Sequence, residues 1–220
     1  MSIDSYFGLG KPDEKKEIAV KPALTDIVFE PKAMYNGKEK NFYTFDASLR
    51  VLQKRGYEHH PRPAEALDLI CRGLEGRLQP EQQAIAGDML ASYGEWLSMA
   101  MILKGNMLHC YLDPKNIEFQ GCEYGVKGGK LKHAGEEVYS IGPFRGWISI
   151  KEVNEINPAL VEKLWSRPYA ILPEEIRQHA WLFLPPENVL CPIGFFGYFN
   201  SGYIINTHCD LGNSRGVRQR

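Results

Sequence analysis

Cysteine and histidine residues concentrate in the second half of the chain, where they suggest nucleophilic chemistry. Residues 207–210 read Thr-His-Cys-Asp and lie where a predicted strand ends. A thiol becomes a nucleophile when a neighbouring base takes its proton and a third group orients that base. The candidate catalytic residues are Cys209 as nucleophile, His133 or His179 as base, Asp210 or Asn206 as orienter, and His208 as the neighbour of Cys209.

The same residue types do not form a metal-binding pattern. A structural zinc site uses four converging ligands, usually in short pairs such as C-x₂₋₄-C, and this chain contains no such pair. His109 and Cys110 are adjacent on a predicted strand, so their side chains should point to opposite faces. Cys110 and Cys122 could still meet on neighbouring strands. We predict inert, buried cysteines, with no metal and no cofactor.

The first residues of the chain carry a pattern suited to binding another protein. Ile3 is followed three and four positions later by Tyr6 and Phe7, and lysines follow at positions 11, 15 and 16. This pattern resembles the sliding-clamp-binding peptide, in which a short 3₁₀ turn presents the three apolar side chains to one pocket. The resemblance covers about eight residues. It implies a protein partner for residues 1–10 and a role in DNA transactions.

Three basic segments are candidates for contacting nucleic acid, at positions 127–133, 50–62 and 215–220. The run Gly125–Lys130 does not match a phosphate-binding loop, because its spacing differs from G-x-x-x-x-G-K-[ST] and Leu131 occupies the hydroxyl position. A Gly-Gly hairpin turn with a basic tip explains it better. If the basic segments converge they could hold nucleic acid, and otherwise they are solvated faces. The candidate binding residues are Ile3, Tyr6, Phe7, Lys127, Lys130, Lys132, Arg215 and Arg218.

Bulk composition excludes several classes of protein. The chain has 26 Lys and Arg against 27 Asp and Glu, which argues against a strongly basic nucleic-acid binder. Five cysteines are an odd number, and residues 1–20 carry several charges and no apolar core, so we expect reduced thiols in the cytoplasm. No apolar run approaches the roughly 20 residues that span a bilayer, so we expect no membrane association.

Local signals predict several helices and one ambiguous segment. Asp46 is a good N-cap and Gly56 a good terminator for a first helix. Pro63 and Pro80 begin the next two, and later helices begin near Pro158 and Pro173. Residues 96–103 could prolong the third helix, but they favour a hairpin with residues 107–112 around Gly105-Asn106.

These elements predict an α+β fold in which N-terminal helices pack against a mainly antiparallel C-terminal sheet with two short inserted helices. Residues 1–40 are expected to form a flexible or draped arm, with one short strand or anchor at 27–29. Residues 41–220 form one domain, helical over 46–94 and strand-rich over 95–212, with a frayed basic end from 213. The functional prediction is a binding or interaction protein associated with DNA transactions. The alternative is a small cytoplasmic enzyme with a Cys/His site.

Overall fold

The computed structural model describes residues 27–35, 45–91, 94–117, 119–120, 123–126, 131–199, 202–206 and 213–219. Six α-helices lie in these ranges: α1 Phe45–Lys54, α2 Pro63–Leu74, α3 Pro80–Leu90, α4 Ile150–Ile156, α5 Pro158–Trp165 and α6 Glu174–His179. A 3₁₀ turn covers Tyr169–Ile171. None of these described helices combines the length and the apolar character needed to cross a lipid bilayer.

Thirteen β-strands lie in the same ranges. They are β1 Ile27–Phe29, β2 Met34–Tyr35, β3 Glu95–Lys104, β4 Met107–Leu112, β5 Phe119–Gln120, β6 Glu123–Val126, β7 Gly135–Ser140, β8 Trp147–Ser149, β9 Ala180–Phe183, β10 Cys191–Phe199, β11 Gly202–Asn206, β12 Asn213–Ser214 and β13 Val217–Gln219. The main sheet runs β2-β12-β3-β10-β11-β9-β8, and β4 joins β3 to β7. The pairs β9–β11 and β3–β12 are parallel, and the others in this sheet are antiparallel. The α+β prediction is confirmed.

The central hairpin has the predicted form. Strands β3 and β4 pair antiparallel with Lys104 opposite Met107, so the turn falls at Gly105-Asn106. Gly105 has a φ of 55°, a left-handed conformation that glycine adopts without steric cost. Strand β3 is buried on both faces, because it lies in the middle of the sheet.

The two faces of the main sheet are covered unequally. The first face carries the larger core, built from residues of β3, β4, β9, β10 and β11 together with helices α2 to α6. The second face carries a smaller core around Trp96 and Ala100, which α1 covers with Phe45 and Leu49. Among the described helices, α1 is the one that contributes to this second core. It covers the middle of the second face and leaves the strands at both ends of that face uncovered by a described helix.

A polar contact fastens the central hairpin to the start of α2. The Arg62 guanidinium donates to the Asp113 carboxylate through Nε at 3.1 Å and Nη2 at 2.8 Å. The Ser98 hydroxyl donates to Asp113 Oδ1 at 2.9 Å. Burial alone would raise the pKa of Asp113, but the hydrogen bonds and charge of Arg62 lower it below its usual value. The ionised carboxylate therefore links β3, β4 and α2.

The prediction of a frayed basic end is wrong for residues 213–219. Strand β13 pairs with β1, and β12 pairs with β2 and β3. The Arg215 side chain is fully buried and makes two hydrogen bonds of 2.9 Å to the buried Glu95 carboxylate. It also donates to Asp88 and to the backbone carbonyl of Glu30. Buried opposite charges stabilise this arginine inside the protein, whereas the sequence pattern predicted a solvated cation.

The second half also holds one more helix than predicted. Residues 147–150 read as one strand in the sequence, but the strand ends at Ser149 and α4 begins at Ile150. Ser149 acts as N-cap: its hydroxyl accepts from the Glu152 amide at 3.2 Å and donates to the Glu152 carboxylate at 2.6 Å. This capping box stabilises α4. With only seven residues, the helix is too short to show a clear hydrophobic periodicity in the sequence.

Candidate functional site

The second face of the sheet exposes large apolar side chains at both ends. At the β8–β9 end, Trp147 is 48% exposed and Trp181 is 41% exposed. At the β4–β7 end, Met107 and Val138 are exposed. Tryptophan is usually buried to a large extent, so two exposed indoles on adjacent strands are more informative than single exposed aliphatic side chains.

The two tryptophans belong to one continuous surface. Trp147 pairs across the strands with Phe183, and Ser149 pairs with Trp181, so all four side chains share a face. The rings of Trp147 and Phe183 have centroids 4.8 Å apart. Trp147 and Trp181 are therefore diagonal neighbours on this face. Such residues lie roughly 7–8 Å apart, within reach of each other's aromatic side chains. We call Trp147, Trp181 and Phe183 the aromatic surface.

A cleft of about 430 Å³ lies beside the aromatic surface. Its lining comes from the start of α4, the 3₁₀ turn and α6: Ser149, Lys151, Tyr169, Glu174, Arg177 and Gln178. Ser149 is the cross-strand partner of Trp181 on edge strand β8. The cleft, whose helices pack on the first face, therefore meets the aromatic surface of the second face at this edge. We call this feature the α6 cleft.

The α6 cleft contains two cations that make no ion pair within the described parts of the chain, Lys151 and Arg177. The Nε atom of Arg177 is shielded from solvent and has no hydrogen-bond partner among the described residues. An unpaired donor shielded from water costs about 1–3 kcal/mol. The Arg177 guanidinium is therefore incompletely paired where it lines the cleft.

Most other polar groups of the cleft are already engaged. The Ser149 hydroxyl donates to Glu152, and the Tyr169 hydroxyl donates to the backbone carbonyl of Arg177 at 3.4 Å. The Gln178 amide donates to the Glu174 carboxylate at 2.7 Å. Among the described lining residues two cations stand against the one carboxylate of Glu174, which favours an anion over a neutral ligand rich in hydroxyls.

Comparison with protein-family models, curated proteins and solved structures finds no match to this chain. The candidate site is therefore assigned from its own geometry.

A cluster of titratable side chains occupies the opposite end of the second face. His109 Nδ1 lies 2.8 Å from the Glu136 carboxylate, and the Tyr111 and His133 rings lie 4.9 Å apart. The hydrogen bond from His109 lowers the pKa of Glu136, so this carboxylate is ionised and accepts. Nδ1 of His109 is then the donor of this hydrogen bond, and the carboxylate orients the imidazole ring. A carboxylate-oriented imidazole of this kind can act as a general base.

The sequence-predicted site residues fall into different places. His133 is exposed beside Tyr111, and Lys132 is exposed with its backbone bonded to Lys115. Arg218 is exposed on β13, whereas Arg215 is buried. The alternative base His179 is exposed at the end of α6, and the alternative orienter Asn206 ends β11. The remaining predicted residues lie outside the described ranges: Ile3, Tyr6, Phe7, Lys127, Lys130, His208, Cys209 and Asp210. Catalysis at Cys209 and binding by the basic residues stay predictions.

The described cysteines are poor nucleophiles. Cys71, Cys110 and Cys191 are buried and free of disulfide bonds. Burial raises the thiol pKa of Cys71 and of Cys110 to about 12, so very little thiolate exists near neutral pH. Within the described residues no group of three or more His, Cys, Asp or Glu side chains could hold a metal ion.

The aromatic surface and the α6 cleft were absent from the sequence-based prediction. Residues 147–149 and 181–183 alternate an aromatic or polar residue with an aliphatic one, which is the pattern of a half-exposed strand. That alternation was the available signal. The alternation alone does not show which face of the strand is covered, because that depends on where the helices pack against the sheet.

Proposed function

We propose that this protein binds single-stranded nucleic acid at the aromatic surface and the α6 cleft. The observation that carries the proposal is the pair of exposed tryptophans on one face, next to a cleft whose two cations have no ion-pair partner among the described residues. Bases stack on aromatic side chains in proteins that bind single strands, while cations contact the phosphates. A near-neutral net charge of −1 fits binding in which stacking contributes more than charge.

Oligonucleotide binding by fluorescence anisotropy tests this function. We expect a single-stranded DNA or RNA oligomer of about 12 nucleotides to bind, and Trp181→Ala to weaken binding by about 1–3 kcal/mol, a factor of roughly 5 to 150. Trp147→Ala should have a similar effect. The matched control is Val138→Ala, an exposed apolar residue at the opposite end of the same sheet face. Unchanged affinity in both tryptophan variants would contradict the proposal.

Salt dependence provides a second, independent measurement. If Lys151 and Arg177 are the two groups that neutralise phosphates, the slope of log K against log salt should be about −1.4 for a single strand. A much steeper slope would instead assign binding to the basic candidates Lys132 and Arg218 and to the lysines outside the described ranges.

Self-association through the tryptophans is the competing interpretation of the aromatic surface. Analytical ultracentrifugation of the wild type and of Trp181→Ala separates the two. A loss of particle mass in the variant, with unchanged oligonucleotide affinity, would assign the surface to contacts between copies of the chain.

We also propose, from sequence alone, that residues 1–10 bind a sliding clamp. The support is the spacing of Ile3, Tyr6 and Phe7, which lie outside the described ranges. A synthetic peptide of residues 1–16 should bind a purified clamp, and Phe7→Ala should abolish binding while Lys11→Ala weakens it only slightly. Equal binding by the Phe7→Ala peptide would rule this out.

A further inference from the structure

We infer that the α6 cleft is a subsite for a terminal phosphate, so that the protein prefers a phosphorylated strand end to an unphosphorylated one. This inference rests on the proposed function, since the strand that carries the phosphate is the one that stacks on the aromatic surface.

The charge available in the cleft suits a phosphate monoester. Lys151 comes from α4 and Arg177 from α6, so two elements bring separate cations to one cleft. A phosphate monoester carries about −1.5 to −2 charges at neutral pH and three terminal oxygens, whereas an internal phosphodiester carries one charge. The Arg177 guanidinium lines the cleft and makes no ion pair among the described residues, so its charge is available to such a group.

The position of the cleft also suits a strand end. Ser149 lines the cleft and pairs across the strands with Trp181, and such partners have Cβ atoms roughly 5 Å apart. The cleft therefore reaches the strand position next to Trp181, and we expect a nucleotide whose phosphate lies in the cleft to place its base against this indole. The next base along the strand then reaches Trp147.

One carboxylate opposes the anion. Glu174 lines the same cleft, and its charge is partly satisfied by the Gln178 amide. Removing this charge should strengthen phosphate binding, which is the opposite of what removing either cation should do. We therefore expect Glu174→Gln to raise the affinity of the cleft for phosphate and Arg177→Ala to lower it.

The experiment compares three oligomers of one sequence that carry a 5′-phosphate, a 3′-phosphate or hydroxyls at both ends, each labelled internally. We expect the wild type to bind one of the phosphorylated oligomers about tenfold more tightly than the hydroxyl form, the gain of one charge-assisted contact. Arg177→Ala should remove most of this preference, because it should weaken binding of the phosphorylated oligomer more than binding of the hydroxyl oligomer. Glu174→Gln should increase the preference. Lys104→Ala, an exposed lysine outside the cleft, is the charge-matched control.

The outcomes separate this inference from the proposed function. Equal affinity for all three oligomers would overturn the phosphate subsite while stacking on the tryptophans still stands. No binding of any oligomer would overturn both. Adenosine monophosphate that binds as tightly as the phosphorylated oligomer would overturn the strand-end assignment in favour of a free nucleotide. Inorganic phosphate should compete more strongly with the preferred phosphorylated oligomer than with the hydroxyl form.

Discussion

At the scale of single residues, His60 shows how burial fixes a protonation state. Its side chain is fully buried beside Phe45, and Nε2 lies 2.8 Å from the Ser48 hydroxyl oxygen. That hydroxyl donates to the Phe45 carbonyl, so it accepts the proton of Nε2. Burial, aided by the charge of neighbouring His59, lowers the pKa of His60 to about 3. The folded protein therefore holds this imidazole neutral.

We predict that His60 makes the protein acid-sensitive. An unfolded histidine titrates near pH 6.5, so between pH 6.5 and 3 the unfolded state binds the extra proton and stability falls as pH falls. The loss attributable to His60 is about 2 kcal/mol at pH 5 relative to pH 7. Urea unfolding at both pH values measures it. His60→Gln should remove most of this difference, although it also lowers stability at pH 7. An undiminished pH dependence in the variant would contradict the assignment.

The exposure of each of the four tryptophans determines what the intrinsic fluorescence of the protein measures. Trp96 and Trp165 are buried, whereas Trp147 and Trp181 are exposed. Iodide should therefore quench about half of the indole emission, and a bound oligomer should protect the quenchable half. The fluorescence of the unlabelled protein thus provides a binding signal that belongs to the aromatic surface.

At the scale of elements, the contact of Arg62 with Asp113 joins the hairpin to α2. Asp113 has a φ of 45°, a left-handed conformation that aspartate and asparagine tolerate better than most residues. Its carboxylate accepts from Arg62 and Ser98, and its amide donates to the Ser98 carbonyl at 3.1 Å. The residue is thus fixed by both its backbone conformation and its charge.

Two substitutions at position 113 should separate these contributions. Asp113→Asn keeps the backbone preference but loses the ionic contact with Arg62, and should lower the free energy of unfolding by about 1–2 kcal/mol. Asp113→Ala loses both and should cost about 3 kcal/mol. The exposed Glu155→Ala is the charge-matched control and should change stability by less than about 0.5 kcal/mol. Equal effects of the two substitutions at position 113 would show that the charge alone matters.

Elements with local signals could be predicted from the sequence. Helices α2 and α5 begin at Pro63 and Pro158 as expected, because a proline at the first turn acts within its own segment. The β3–β4 hairpin follows from its turn at Gly105. The parallel pairing of β9 with β11 could not be predicted from local signals, because no short turn connects the two strands. Their pairing depends on the arrangement of the whole sheet.

At the scale of the whole molecule, the network around Arg215 connects distant parts of the chain. Its partners Glu95 and Asp88 lie 120 and 127 positions away. From sequence Arg215 looked like one cation of a basic tail, because nothing near it indicates burial. The candidate site was missed for a similar reason: the exposure of Trp147 depends on its strand lying at the edge of the sheet, which is a property of the complete topology.

The buried pair of Arg215 and Glu95 should behave as a coupled unit. Arg215→Met leaves the Glu95 carboxylate buried without its main partner and should lower the free energy of unfolding by about 3–5 kcal/mol. Combining it with Glu95→Leu should restore at least half of that loss, because a buried pair exchanged for apolar residues is often neutral. Urea unfolding of the four proteins gives the coupling energy, with the exposed Arg218→Met as control. Additive losses would show that the pair is not coupled.

The pairing of β1 with β13 has a consequence for the order in which the chain folds. Ile27 lies opposite Gln219, so these contacts join residues separated by about 190 positions. The β3–β4 hairpin closes across two residues and can form early, whereas the β1–β13 ribbon must wait until the intervening chain has brought its strands together. We therefore expect this ribbon to form late and to open first, with amide hydrogens of Ile27–Phe29 exchanging faster than those at the centre of β3.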